Sequence, residues 1–310
     1  MADARRFDCW FLSGPTASGK TTIGIELARR IGAEILSMDS MALYRHMDIG
    51  TAKPSRSQQE AVPHHLIDLI DPHEEFSLAQ YTEAAHRQVR QIKSRGREAL
   101  FIGGTPLYLK GLLRGIFEGP PADWAFRKRL QQEAEEHGSA VLHERLVQVD
   151  PISAERLHPN DQRRLIRALE VYEKTGSPIS ELQQQFETGR PADACHVFVL
   201  QWPREQLHRR IDRRVDEMFA AGLVDEVRAV LDRPEPPSRT AGQAVGYREV
   251  IDHLNGKQDL AETIELVKNH TRQLARRQET WFRSLSECRF VPMSESSDPA
   301  TIVDRIVEAG

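Results

Sequence analysis

Cysteine is nearly absent: Cys9, Cys195 and Cys288 are the only three in 310 residues, odd in number and far apart along the chain. That spacing excludes a disulfide framework and a paired-cysteine metal knuckle. Long apolar runs are missing too, since no segment approaches the roughly 18 residues that a membrane span needs. The opening Met1-Ala2-Asp3-Ala4-Arg5-Arg6-Phe7 lacks the apolar stretch of a secretory signal. A soluble, cytoplasmic protein with no membrane partner is expected. Lysine is also sparse, 8 residues against 34 arginines, and neither sign of charge prevails, the formal net charge being −4. A chain that is basic throughout is thereby excluded.

What is present fits a folded enzyme. Hydrophobic residues make up 39% and charged residues 28% of the chain, which supports a buried core and excludes wholesale disorder. The length suggests two domains, or one core carrying a large insertion. The near-neutral total hides local concentrations of charge. Residues 87–97 hold five basic groups and no acid, residues 204–214 five arginines against two acids, and residues 268–290 six basic groups against two acids. With the +2 of residues 156–174 these windows total +14, so the remainder carries −18. Each window alone is equally the solvated face of a helix, but together they could track a phosphate backbone.

The first hundred residues alternate as in a parallel α/β sheet. Apolar strands are expected at residues 7–12, 33–37, 64–70 and 98–102, with a helix from Thr21 to Ile31. Ser77 and Gln80 form a capping box that opens another helix, running to about Ser94. After Gly119-Pro120-Pro121 the strand signal vanishes and helical periodicity dominates from Asp123 to about Gln185. It returns at residues 195–202 and weakly at 289–292. The fold class expected is α/β, a P-loop NTPase-like parallel sheet core with an inserted all-helical subdomain. Residues 1–119 and 196–310 would form the core, and residues 120–195 the insertion.

Gly14-Pro15-Thr16-Ala17-Ser18-Gly19-Lys20-Thr21 matches the phosphate-loop pattern GxxxxGK[ST], directly after a strand and before a helix. Backbone N–H groups and the positive end of the following helix can wrap a phosphate or pyrophosphate, Lys20 can reach its oxygens, and the Thr21 hydroxyl is placed to hold Mg²⁺. No [NT]KxD guanine signature occurs, which excludes an ordinary GTPase. The next strand ends at Ser37-Met38-Asp39-Ser40. Asp39 could there serve as a metal ligand, a general base or a turn cap. Gly103-Gly104-Thr105 ends another strand at the same edge, where two glycines allow close backbone approach and Thr105 offers a hydroxyl. The adjacent His64 and His65 would point to opposite faces of a strand and are read as structural.

Eight ordered blocks spread over nearly the whole chain resemble the bacterial tRNA dimethylallyltransferases. They are GPTASGKT (14–21), DSMALYRHMDIGTAKP (39–54), VPHHLID (62–68), GGTPLYLKGLL (103–113), NDQRRLIRALEVYEKTGSPIS (160–180), RIDRRVDEMFAAGLVDEV (210–227), QAVGYREVI (243–251) and RQLARRQETWF (272–282). The resemblance implies transfer of a dimethylallyl group from dimethylallyl pyrophosphate to N6 of the adenine just 3′ of the anticodon, in tRNAs reading codons that begin with U. It further implies Asp39 as general base, Thr105 bonding the departing oxygen, and Lys20 with Arg214 and a Thr21-bound Mg²⁺ on pyrophosphate. The target base would leave its stack to react.

By the same resemblance, tRNA would meet Asp39, Ser40, Met41, Ala42 and Thr105 around the target base. Arg127 and Gln162, Arg163, Arg164, Leu165 and Ile166 would contact it from the insertion. Gly246, Tyr247 and Arg248, with Arg272, Arg276 and Arg277, would meet its backbone. Trp281 and Phe282 are expected to pack against the sheet. Pro106 departs from the family pattern and removes an N–H after Gly-Gly-Thr. No Cys/His finger of the eukaryotic kind is present up to Gly310. The bacterial form, acting as a monomer, is implied. Two alternatives share the phosphate loop: an adenylate isopentenyltransferase acting on free AMP, ADP or ATP, and an RNA-binding P-loop ATPase.

Overall fold

In the computed structural model, residues 9–117, 119–183 and 189–310 are described. Phe7 and Asp8 of the expected first strand, and the expected end of the helical stretch at Gln185, lie outside them. The chain divides into two units, one made of everything up to Leu113 with Gly189–Gly310, the other of Arg114–Thr188. The expected insertion, 120–195, thus begins and ends about six residues late. Phe117 belongs to the insertion's core, while Arg289 Nε donates to the Ala192 carbonyl and ties residues near 190 to the sheet unit.

The first unit opens with β1 (Trp10–Ser13), α1 (Lys20–Ile31), β2 (Ala33–Ser37), α2 (Arg56–Ala61), β3 (His64–His65), α3 (Leu78–Ser94), β4 (Glu98–Gly103) and α4 (Pro106–Arg114). The second unit holds α5 (Trp124–His137), α6 (Ala140–Val149), α7 (Pro151–Arg156), α8 (Gln162–Thr175) and α9 (Ile179–Leu182). The first then resumes with β5 (Val197–Gln201), α10 (Arg204–Ala220), α11 (Leu223–Leu231), α12 (Arg239–Gly242), α13 (Tyr247–Leu254), α14 (Leu260–Arg283), β6 (Arg289–Pro292) and α15 (Pro299–Ala309).

The strands form one sheet in the order β3-β2-β4-β1-β5-β6, every pair parallel. Successive strand residues feed opposite faces, as the two-residue period of a strand requires. Phe11, Leu36, Phe101 and Val197 enter one core, and their chain neighbours Leu12, Ile35, Leu100 and Phe198 enter the other. Each such side chain, fully buried, contributes about 1.5–3 kcal/mol. The expected strand 64–70 is cut to two residues because Leu66 (φ 61°) and Asp68 (φ 54°) adopt left-handed backbone, which ends the ladder. The Ser77–Gln80 capping box is present at the start of α3. The three cysteines, distant in sequence, stand just before β1, β5 and β6, with Cys9 and Cys288 in the same core and Cys195 packed against it.

Helices are the only regular elements among the described residues of the second unit, and it has its own core, which includes Leu130, Leu142, Leu146, Leu165 and Leu169. A buried carboxylate organises it. Glu170 of α8 accepts from both Arg127 Nε (2.8 Å) and Arg127 Nη2 (2.7 Å), from Arg167 (2.5 Å) and from the Asp123 N–H (2.7 Å). Burial pushes this carboxyl up, but the four donors outweigh it and hold it below the usual carboxylate range. Its contribution is therefore complete above the unfolded-state value and fades as pH falls through the folded-state one. Glu170→Ala should destabilise this unit by about 3–5 kcal/mol, because two guanidinium groups lose a buried partner. Urea unfolding followed by the fluorescence of Trp124, at the start of α5, measures it.

Candidate active site at the carboxyl edge of the sheet

Because all six strands are parallel, β1, β2 and β4 deliver their following loops to the same edge. After β1 comes the phosphate loop, whose curl needs left-handed backbone at Ala17 (φ 61°) and Gly19 (φ 88°). Three side chains from the second half of the chain hold that curl. Trp202 Nε1 donates to the Ser18 carbonyl at 2.9 Å and Arg210 Nε to the Ala17 carbonyl at 2.8 Å. The Thr16 N–H donates to Gln278 Oε1 at 2.9 Å. The Arg210 guanidinium also lies over the Trp202 ring, 4.2 Å from its centroid.

Lys20 is turned back onto its own loop, donating to the carbonyls of Gly14 (2.9 Å) and Pro15 (2.7 Å) and weakly to Ser18 Oγ. Burial, then repulsion from Arg214, pull its ammonium down to about 7, with Asp39 opposing. Arg214 is lowered by burial, while Asp39 opposes as the largest counter-effect. Asp39, past the end of β2, accepts the Met41 N–H on Oδ1 at 2.9 Å. Its expected turn-cap role is filled by Oδ1, and Oδ2 has no protein donor among the described residues.

Beside Asp39 stands Thr105, whose Oγ1 accepts the Ser40 N–H at 3.0 Å and points weakly at Ser40 Oγ, 3.4 Å away. This closeness depends on Gly103. A Cβ there would sit 2.0 Å from the Met38 carbonyl oxygen, so β4 could not exit past β2 with any other residue.

These groups line a cavity of about 720 Å³. Its wall comprises Thr16–Thr21, Asp39–Ala42, Gly50–Pro54, Gly103–Pro106 and, from the long helices, Arg210, Arg213, Arg214, Arg277 and Gln278. The 50–54 wall is held from behind. Glu226 of α11 accepts three consecutive N–H groups, from Asp48 (2.8 Å), Ile49 (2.7 Å) and Gly50 (3.0 Å), and the Tyr247 hydroxyl at 2.5 Å. Burial first, then the Glu226 charge, push the Tyr247 phenol far up.

The structure redistributes several expected contacts. Gly14 and Pro15 present carbonyls to Lys20, the Thr16 N–H is taken by Gln278, and the Ser18 N–H donates to the Pro15 carbonyl at 3.3 Å. Leu165 and Ile166 are buried in the second unit's core and have no exposed face for RNA, whereas Arg163 and Arg164 are exposed. Tyr247 is buried against Glu226, and Gly246 (φ 96°) gives its N–H to Glu249. Arg127 is committed to Glu170, Arg248 to Glu249 (2.6 Å) and Arg272 to Asp212 (2.5 Å). Arg276 and Arg277 remain exposed, the latter at the cavity. Phe282 is buried as expected but Trp281 is 39% exposed, because the helical period turns it away from the face carrying Ala275, Gln278 and Phe282.

Of the basic windows, 204–214 supplies three cavity arginines. In 87–97, Lys93 pairs with Glu98 and Arg95 with Glu34, at the amino edge of the sheet where α3 leads into β4. His64 lines the cavity, and His65 bonds Glu34 at 2.7 Å. Trp202, Arg210, Glu226 and Gln278 escaped the sequence reading. Only Arg210 left a signal there, one helical turn before Arg214.

A parallel sheet with a phosphate loop after β1 and a cationic cavity at its carboxyl edge defines a P-loop α/β enzyme core. The chain belongs to the IPP transferase family, whose sequence model matches residues 42–285. It is 50% identical to the tRNA dimethylallyltransferase of Rhodopirellula baltica, over 97% of this chain and 92% of that one. It is 36% identical to the crystal structure of a tRNA isopentenylpyrophosphate transferase from Bacillus halodurans, with a TM-score of 0.71 over 98% of this chain and 95% of that one. A eukaryotic dimethylallyltransferase acting on tRNA superposes with a TM-score of 0.78 at 26% identity, over 96% and 77% of the two chains.

The Lys20 shift makes a direct prediction. At about pH 8 the free protein carries a mostly neutral Lys20, and an anionic diphosphate restores its charge, so binding should take up about one proton. Calorimetry with inorganic pyrophosphate in buffers of different ionisation enthalpy measures this uptake. It should vanish in Lys20→Met, along with most of the affinity.

Proposed function

We propose that the protein transfers the dimethylallyl group of dimethylallyl pyrophosphate to N6 of the adenine 3′-adjacent to the anticodon, in tRNAs reading codons that begin with U, releasing pyrophosphate. One observation carries this reading: a phosphate loop and a carboxylate with one unbonded oxygen, Asp39, face the same 720 Å³ cavity. The names borne by the relatives support the same chemistry.

The adenine lone pair forms the new C–N bond at C1 of the allyl group, as the C–O bond to pyrophosphate breaks in line. Asp39 takes the N6 proton, since the delocalised amine is a poor nucleophile until it is relieved of that proton. Thr105 turns its hydroxyl from the long Ser40 contact to the departing oxygen, and Lys20, Arg210 and Arg214 balance the charge that collects on pyrophosphate.

The donor set fits Mg²⁺. Among the described residues there is no cluster of three or more His, Cys, Asp or Glu, so Thr21 would hold the ion with substrate oxygens and water, as Mg²⁺ prefers. Bound there, the ion would neutralise part of the leaving-group charge. The exposed Arg163, Arg164, Arg276 and Arg277 supply cations for tRNA phosphates, and the substrate base enters the cavity unstacked. The protein works as a monomer, and no helix among its described residues is long and apolar enough to cross a membrane.

Incubation with labelled dimethylallyl pyrophosphate, Mg²⁺ and unmodified tRNA should place label in tRNA. Label in free AMP alone, or ATP turnover without prenylation, would replace this reading with one of its two alternatives. Asp39→Asn should lower the transfer rate by roughly 10²–10⁴-fold while tRNA affinity, measured by filter binding, is retained. A parallel loss of both would make Asp39 an RNA anchor.

A further inference from the structure

Gln278 is a buried amide on an otherwise apolar stripe of α14, between Ala275 and Phe282. Its two polar atoms are both committed, and to different walls of the cavity. Oε1 accepts the Thr16 N–H at 2.9 Å, and Nε2 donates to the Gly104 carbonyl at 2.7 Å. Packing leaves no slack: a Cβ on Gly104 would lie 2.7 Å from Gln278 Nε2, 3.4 Å from the Gly14 carbonyl oxygen and 3.6 Å from Lys20 Nζ. The one amide thus spans the gap between the phosphate loop, which takes the leaving group, and the segment whose next residue is Thr105. Glutamine both donates and accepts at any pH, whereas a glutamate of the same length can do so only when protonated.

We infer that Gln278 is a positioning residue that sets the distance between the pyrophosphate cradle and Thr105, and with Thr105 the Ser40–Asp39 turn. This rests on the proposed reaction, in which the bond between the allyl carbon and its leaving oxygen must lie between those two walls. A misplacement of about 1 Å there costs on the order of a hundredfold in rate. The same amide closes the Thr16 donor to phosphate.

Three substitutions test it in the full-length protein. Gln278→Met keeps length and volume without hydrogen bonding. Gln278→Asn is one methylene too short to reach both partners. Gln278→Glu keeps the shape, but when ionised it sets an acceptor against the Gly104 carbonyl. Circular dichroism and thermal melting first establish that each variant is folded at the assay temperature. The expected result is a fall of about a hundredfold in kcat for Gln278→Met, a smaller weakening of pyrophosphate binding, and an unchanged KM for tRNA.

Gln278→Glu supplies a signature that a loss of stability would not give. Once protonated, its carboxyl can donate to Gly104 while still accepting from Thr16, so its activity relative to wild type should rise as pH falls. Wild-type kcat in Gln278→Met, or a pH-independent activity ratio for Gln278→Glu, would overturn the inference. If the wild-type protein fails to prenylate tRNA, the proposed function falls separately. Gln278 is then judged on inorganic pyrophosphate alone, and an unchanged affinity in Gln278→Met would refute its positioning role.

Discussion

The site exists because two backbones pass within touching distance. At the carboxyl edge, the end of β4 slides against the exit of β2. The Met38 N–H donates to the Ile102 carbonyl at 2.8 Å and the Thr105 N–H to the Met38 carbonyl at 3.2 Å, with Gly103 in the space between. That ladder runs past the last paired residues and carries Asp39 and Thr105 beyond the sheet as a unit. Everything chemical is then hung on it: Ser40 bonds Thr105, Met41 fixes one oxygen of Asp39, and Gln278 ties the adjoining Gly104 to the phosphate loop. Groups that follow three strands are thereby held with the rigidity of a sheet, although they stand beyond its last paired residues.

Charge is handled by the same logic of placement. The chain is close to neutral overall, yet its cavity gathers Lys20, Arg210, Arg213, Arg214 and Arg277 around two carboxylates, Asp39 and Glu217. Burying like charges together is unfavourable, and the protein answers it in two ways. Lys20 gives up part of its charge in the free state, and Arg210 spreads its own over the Trp202 ring and a loop carbonyl. Lys20 and Arg214 are lowered by burial, whereas Arg213 is exposed and pairs with Glu217 at 3.6 Å, so an anion entering the cavity would find the first two already drawn out of water.

The sheet, the phosphate loop, Asp39, the Gly-Gly-Thr strand end and the helical insertion were all legible in the sequence, because each is local: a strand period, a loop pattern, a cap. Helix faces were read less well. Leu165 and Ile166 share a segment with exposed arginines yet point inward, and Trp281 points outward beside a buried Phe282, since one residue of offset is a 100° turn. Arginines that look alike in sequence divide by partners that only the fold supplies: Asp212 takes Arg272, Glu170 takes Arg127, and Arg277 stays open to the cavity. Gln278 and Glu226 were invisible for the same reason, being some 170 residues or more from what they hold.

Glu226 also bears on how such a pocket can change. It grips the Asp48–Gly50 turn through three N–H groups, which every residue except proline possesses, and Lys53 secures the far end through the Tyr44 carbonyl and the carboxylates of Asp48 and Asp68. The cavity wall is therefore fastened near residue 50 by its main chain, to which Thr51 adds a hydroxyl bond to the Met47 carbonyl (2.6 Å) and Ala52 a left-handed backbone (φ 49°). Shape and stability are coupled along that rim. A substitution that alters what the pocket admits there also acts on the frame that holds it.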